Sequence, residues 1–206
     1  NVYQTSQSCS FKRELDVKTG ENYKIQGNGD ADVYLDAHSI VRFAKVQGTL
    51  EVKNLTLQNG IGLNGGAIFV SSTGFAKFES VLFKACSSHL GGAIFIDDQG
   101  SATFKQSTFE GNTASQGGAL YVKSQSQLLL RKVNFNHNKA EGDAAVSSGG
   151  AIFINVQGGD VNSILIQDSA FNSNAATRGG AVRMSGSNVK IVNTNFTTNV
   201  AISKAS

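Results

Sequence analysis

The chain has 206 residues, of which 40% are hydrophobic and only 16% charged, with 23 glycines and no proline. Its 18 basic and 15 acidic side chains leave a net charge of +3 and are scattered, without the concentrated basic face that nucleic-acid binding uses. No apolar run reaches the roughly 18 residues of a membrane-spanning helix, so this segment is not expected to insert in a bilayer. No basic and apolar leader stands at Asn1, and any secretion signal is expected to lie outside the sequence.

From Cys9 to Ile25 short alternating runs occur, with Leu15 and Val17 and then Tyr23 and Ile25, before a turn-like Gly27-Asn28-Gly29-Asp30. A clearer unit follows: Val41 and Phe43, Gly48, Leu50 and Val52, then Leu55 and Leu57. Shifting the last five by 26 gives Gly74, Ala76, Phe78, Val81 and Phe83, and a second shift gives Gly100, Ala102, Phe104, Ser107 and Phe109. A third lands on Ser126, Leu128, Leu130, Val133 and Phe135. Between these runs stands Gly65-Gly66-Ala67-Ile68-Phe69-Val70. It recurs at Gly91-Gly92-Ala93, Gly117-Gly118-Ala119, Gly149-Gly150-Ala151 and Gly179-Gly180-Ala181, with start-to-start spacings of 26, 26, 32 and 30.

A fixed period decides the architecture before any other signal. Each unit holds three short alternating runs, such as Ile68/Val70, Ala76/Phe78 and Val81/Phe83, and alternation at period two marks strands with one buried face. A unit of 26 residues is too short for a propeller blade, and no segment carries a helical period. The prediction is an all-β chain folded as a single-stranded right-handed parallel β-helix, about 26 residues per coil, three short strands per coil and seven to eight coils. At about 4.8 Å per coil the rod would be roughly 35 Å long. One domain spans 1–206, with irregular coils over 1–40 and regular coils over 41–206. Since no capping element is evident near Ser206, the segment is expected to belong to a larger protein. Two insertions interrupt the period, within Lys139–Ser148 and within Asn155–Asn162, and could form a rim beside the strand Ile152–Ile154.

A second signature is phased to the first: Phe109/Asn112, Phe135/Asn138, Phe171/Asn174 and Phe196/Asn199, with Phe83/Cys86 as a variant. The phenylalanines should stack inward as a ladder. The asparagines suit a corner, where their amides satisfy backbone groups and bond to one another. If Ile68 and Val70 point inward, alternation sends Ala67 and Phe69 outward. Phe69, Phe95, Tyr121, Phe153 and Arg183 then form an outer column beside Ala67, Ala93, Ala119, Ala151 and Ala181. Rings repeating every coil would expose an apolar strip of a few hundred Å2, the size that marks an interaction site.

Other chemistry is sparse. Cys9 falls three periods before Cys86, near the same column, and three coils (about 14 Å) exceed the reach of a disulfide, so two sheltered free thiols are expected. His38, His89 and His137 lack metal-ligand spacing, and neither metal nor cofactor is expected. Asn28-Gly29-Asp30-Ala31-Asp32 alternates oxygen donors but lacks the distal Glu of a calcium loop, and reads as a turn. Asn54-Leu55-Thr56 and Asn195-Phe196-Thr197 are glycosylation sequons, meaningful in a secreting eukaryote. The best acid and base groups are Asp97 and Asp98, with Lys123 at the matching position one coil later; converging in a groove, they would suit a polysaccharide-cleaving β-helix. A flat-surface binder, of ice for example, would need an outward Thr or Ser ladder.

The two signatures in constant phase over Leu57–Asn199 resemble those of the chlamydial polymorphic outer membrane proteins, built on repeated Gly-Gly-Ala-(Ile/Leu/Val) and Phe-x-x-Asn. That resemblance implies a surface-exposed, non-enzymatic β-helix, extracellular and used for adhesion or assembly. Its partner would be a protein receptor, a glycan or a neighbouring domain or subunit. The polysaccharide-active enzyme is the alternative.

Overall fold

The computed structural model describes residues 2–28, 33–143, 147–156, 163–186 and 188–202. The chain winds as a right-handed parallel β-solenoid, and successive coils pair in register. Phe75, Ala76, Lys77, Phe78 and Glu79 stand on Ser101, Ala102, Thr103, Phe104 and Lys105, which stand in turn on Gln127 to Arg131. The shift of 26 in the sequence is therefore the hydrogen-bonding register itself.

Among the described residues the strands form three sheets. One contains the Gly-Gly-Ala strands and runs over seven coils, from Leu15–Val17 and Ala44–Val46 through Ile68–Val70 to Val182–Ser185. The second and third alternating runs of each coil lie together in the second sheet. In the best-formed coil they make one strand, Phe75–Lys84, bent at Ser80, whose φ of 54° places the bend in left-handed geometry. The third sheet is short and comes from Ile61–Asn64, Ser87–Leu90 and Thr113–Ala114 onward, where the one alternating apolar pair, Ile61 and Leu63, faces water. It carries polar and charged residues such as Ser87, His89 and Lys139, which is why hydrophobic periodicity passes over it.

Burial follows the alternation on the long sheet. Leu50, Val52, Ala76, Phe78, Ala102, Phe104, Leu128 and Leu130 are inside, while Lys77 and Lys105 face water. Beyond the bend the inward column is aromatic: Phe83, Phe109, Phe135, Phe171 and Phe196 stack with centroids 4.6–4.8 Å apart and planes within 9° of parallel. Ring spacing therefore equals coil spacing, and each ring fills the gap left by its neighbour.

Three residues after each ring, an asparagine closes the corner. Asn138 donates its backbone N–H and one amide hydrogen to Asn174 Oδ1 (3.0 Å each) and the other amide hydrogen to Phe109 O (3.0 Å). Its own Oδ1 accepts from Asn112 N (3.1 Å) and Asn112 Nδ2 (2.9 Å). Asn112 and Asn174 repeat the arrangement, and Asn199 ends it. Asn112, Asn138 and Asn174 are fully buried. At the N-terminal end of this ladder Cys86 replaces the amide; its N–H donates to Asn112 Oδ1 at 2.9 Å and its thiol to Leu57 O at 3.8 Å.

Deleting one rung strands donors and acceptors on both neighbours, and each unsatisfied buried polar group costs about 1–3 kcal/mol. Asn138→Ala should therefore destabilise the coil stack by on the order of 3 kcal/mol or more, and Asn199→Ala by clearly less, because only one neighbouring rung depends on it. Urea denaturation of the two variants checks the order; equal losses would mean that the ladder is not a shared network.

Candidate functional site

The aromatic column of the Gly-Gly-Ala sheet was the leading candidate, and its position begins with the glycines. The first of each pair has φ between 61° and 66°. The second lies so close to the next coil that a Cβ on Gly92 would collide with Gly118 O and with the backbone of Thr113. Leaving this corner, two successive N–H groups donate to one carbonyl: Ala67 N and Ile68 N to Ala93 O (2.8 and 3.0 Å), Ala93 N and Ile94 N to Ala119 O (3.0 and 2.9 Å). The doubling recurs at Ala151 O and Ala181 O. It acts as a bulge repeated on every coil and resets the alternation.

The outward reading of the alanines is thus corrected. Ala67, Ala93, Ala119, Ala151 and Ala181 are buried in the main core, the first four together with the Ile or Leu beside them. The ring residues do point away from that core, but they are not an exposed strip. Phe95, Tyr121 and Phe153 are 3%, 5% and 7% exposed and form a second apolar cluster, with Phe69 and Leu90 packed against it. The rings stack with centroids 5.2 Å apart from Phe69 to Phe95 and 5.3 Å from Phe95 to Tyr121, and Phe153 meets Tyr121 edge-on at 86°. The Tyr121 hydroxyl accepts from Asn155 Nδ2 at 2.8 Å.

Both ends of this cluster are closed by guanidinium groups. Arg183 does not break the column; its Cζ lies 5.6 Å from the Phe153 centroid, and its Nη1 donates to Ser148 Oγ at 2.9 Å. Arg42 lies 5.2 Å from the Phe69 centroid, donates to both carboxylate oxygens of Glu14 (3.0 Å each) and to Asn64 O (2.8 Å). Arg42 belongs to a coil without the Gly-Gly-Ala signature, so no repeat-based signal could have found it.

Asp97, Asp98 and Lys123 do converge. Lys123 Nζ lies 2.9 Å from Asp97 Oδ1 and is also ion-paired with Asp98, while Asp98 Oδ1 accepts from Ser124 N at 3.1 Å. The hydrogen bond to Asp98 leads in raising the Lys123 pKa above its ordinary value, against partial burial. The two carboxylates and the ammonium are thereby spent largely on one another.

The remaining candidates are dispersed. Cys9 pairs with Leu35, which puts it in the column of Leu57 and Phe83 rather than beside the asparagines, and it is exposed, not sheltered. Cys86 is buried, and desolvation pushes its thiol up to about 12. Asp36 is buried beside His38: burial would raise its pKa, but hydrogen bonds from His38 N, Gln58 and Asn59 outweigh this and hold it low. Among the described residues no cluster of His, Cys, Asp or Glu could hold a metal ion. Of the calcium-like stretch, residues 29–32 lie outside the described residues, as do 144–146 and 157–162 of the two insertions. Of the sequon asparagines, Asn54 occupies a left-handed bend (φ 52°) and Asn195 is exposed on a strand.

On the outer wall of the long sheet the charges interlock. Lys53 bridges Glu51 (3.1 Å) and Glu79 (3.0 Å), Lys77 reaches Glu51 (3.3 Å), and Lys105 reaches Glu79 (2.7 Å). Lys105 and Lys53 hold the Glu79 carboxyl at about 2.

Residues 16–196 match the family model described as the right handed beta helix region. No curated protein and no solved structure matches the chain.

Two predictions follow from the geometry of these side chains. Phe95→Ala should cost about 3–5 kcal/mol in denaturant unfolding, the loss of a buried ring; a neutral effect would return the column to the surface. Because the folded Glu79 pKa lies below its unfolded value, its contribution is complete above about pH 5 and is lost as the pH falls toward about 2. Melting temperature should therefore fall over that interval, and less steeply in Glu79→Gln, as thermal scans at stepped pH would show.

Proposed function

Because the chain belongs to the right-handed β-helix family, we propose that it is a non-enzymatic, extracellular binding or assembly module, a rigid rod of the adhesin kind. The observation that carries this reading over a polysaccharide-cleaving enzyme is that Asp97 and Asp98 are both ion-paired to Lys123. Proton abstraction needs a free base, and an ammonium with a raised pKa holds its proton. Glycoside hydrolysis needs an acid and a base or nucleophile on opposite sides of the scissile bond, whereas these two carboxylates are neighbours in sequence and share one counter-ion.

The likeness of the repeated Gly-Gly-Ala and Phe-x-x-Asn motifs to those of the polymorphic outer membrane proteins favours adhesion and the cell surface. With the aromatic column covered, contact moves to the outer walls of the coils. A flat solid is the poorer partner. The outward column Leu82, Thr108, Asn134, Ala170 mixes shapes and polarity, where a crystal-matching ladder repeats one.

Incubating the chain with a panel of uronate polymers should release neither unsaturated nor reducing ends, while labelled chain should bind cell surfaces saturably and equally well as Lys123→Ala. Turnover that disappears in Lys123→Ala would replace this reading by the enzymatic one.

A further inference from the structure

The outer wall of the long sheet divides into two unlike halves. Toward the N-terminus, the five residues Glu51, Lys53, Lys77, Glu79 and Lys105 are linked in one chain of ion pairs. Farther along, register sets Lys105, Arg131 and Gln167 in one outward column, and Thr103, Leu129, Leu165 and Lys190 in the column beside it. Leu129 and Leu165 stand on the water side of the sheet. With Phe75, which is 39% exposed, they line a shallow hollow of about 340 Å3 edged by Ser101, Thr103 and Gln127.

Three cations stand around this hollow. Arg131, Lys132 and Lys190 are exposed, and among the described residues none of them is ion-paired. The carboxylate one rung beyond Lys132, Asp168, accepts hydrogen bonds from the amides of Gln167 (3.0 Å) and Asn193 (3.2 Å). An apolar strip running along the rod axis is therefore flanked on one side and at one end by cations.

These two features set different demands. A polyanion such as an acidic glycan would satisfy the cations and leave the leucines wet. An uncharged apolar surface would do the reverse. We propose that this wall docks an acidic amphipathic segment of a partner protein. Its apolar side chains would lie over Leu129 and Leu165, and its carboxylates beside Arg131, Lys132 and Lys190. The assignment rests on the reading of the chain as a binding module and names the chemistry of its partner.

The test uses the full chain and a labelled helix-forming peptide in which Glu and Leu occupy adjacent stripes, read by fluorescence anisotropy. A scrambled peptide of the same composition and heparin serve as the other probes. The patterned peptide should bind more tightly than the scrambled one. Leu129→Ser with Leu165→Ser should weaken it by about tenfold, since two partly buried leucine contacts are removed. Arg131→Gln with Lys132→Gln should weaken it by about tenfold at low salt and flatten its salt dependence. All four positions face outward, so the melting temperature should hold in each variant. Equal binding of patterned and scrambled peptides, preference for heparin, or indifference to the leucine pair would each overturn the assignment. Binding to cells that survives the leucine substitutions would overturn it too, while leaving the adhesion reading in place.

Discussion

No coil of this molecule can satisfy its own backbone. Each strand is two to ten residues long and finds its hydrogen-bond partners on neighbouring coils, so everything depends on a flat, repeated register. The buried asparagine ladder is where that dependence is strictest. At the corner beyond the long sheet the chain turns through left-handed geometry at Ala85, Gly111, His137 and Ser173, whose N–H groups still donate to the next coil, while the N–H one residue later donates to an asparagine Oδ1 in place of a backbone carbonyl. The carboxamide of Asn138 takes that carbonyl's place, donating to Phe109 O of the coil before it and accepting from two N–H donors of the preceding rung, Asn112. The stacked phenylalanines three residues earlier fix the spacing at which those amides meet.

Much of this was legible in the sequence, because a period of 26 residues is a direct record of register. Inward positions on the long sheet, the phenylalanine stack and the amide corner all follow from alternation and phase. What alternation misjudged is instructive. It sent Ala67 and its equivalents outward, since it assumes an unbroken strand, and two N–H groups sharing one alanine carbonyl break that assumption. It also left the rings of Phe95, Tyr121 and Phe153 in water. Their cover comes from Leu90 and from Arg183, the last member of their own column, while Arg42, in a coil lacking the signature and so outside any repeat pattern, closes the other end over Phe69. The third sheet escaped for a similar reason: its strands are two to four residues long, and most of its inward residues, such as Gly62, Ser88, Ala114 and Ala140, are small.

The same economy bears on function. Inward groups are consumed by stacking, the Gly-Gly-Ala aromatics by their own cluster, and the conspicuous acids by Lys123. Variation without a structural duty is left to the outer walls, where one half of the long sheet is a closed lattice of ion pairs and the other combines leucines with cations. A rigid interior with a differentiated wall suits recognition along the rod more than chemistry at a point.

The most direct measurement of the central claim is hydrogen exchange at the asparagine ladder, followed by NMR in heavy water. The account predicts that the side-chain amides and backbone N–H groups of Asn112, Asn138 and Asn174 are among the slowest to exchange in the molecule, with Asn199 faster. Exchange of Asn138 as rapid as that of the exposed Asn134 would contradict it, because a corner amide in contact with water cannot be the tie that holds the coils in register.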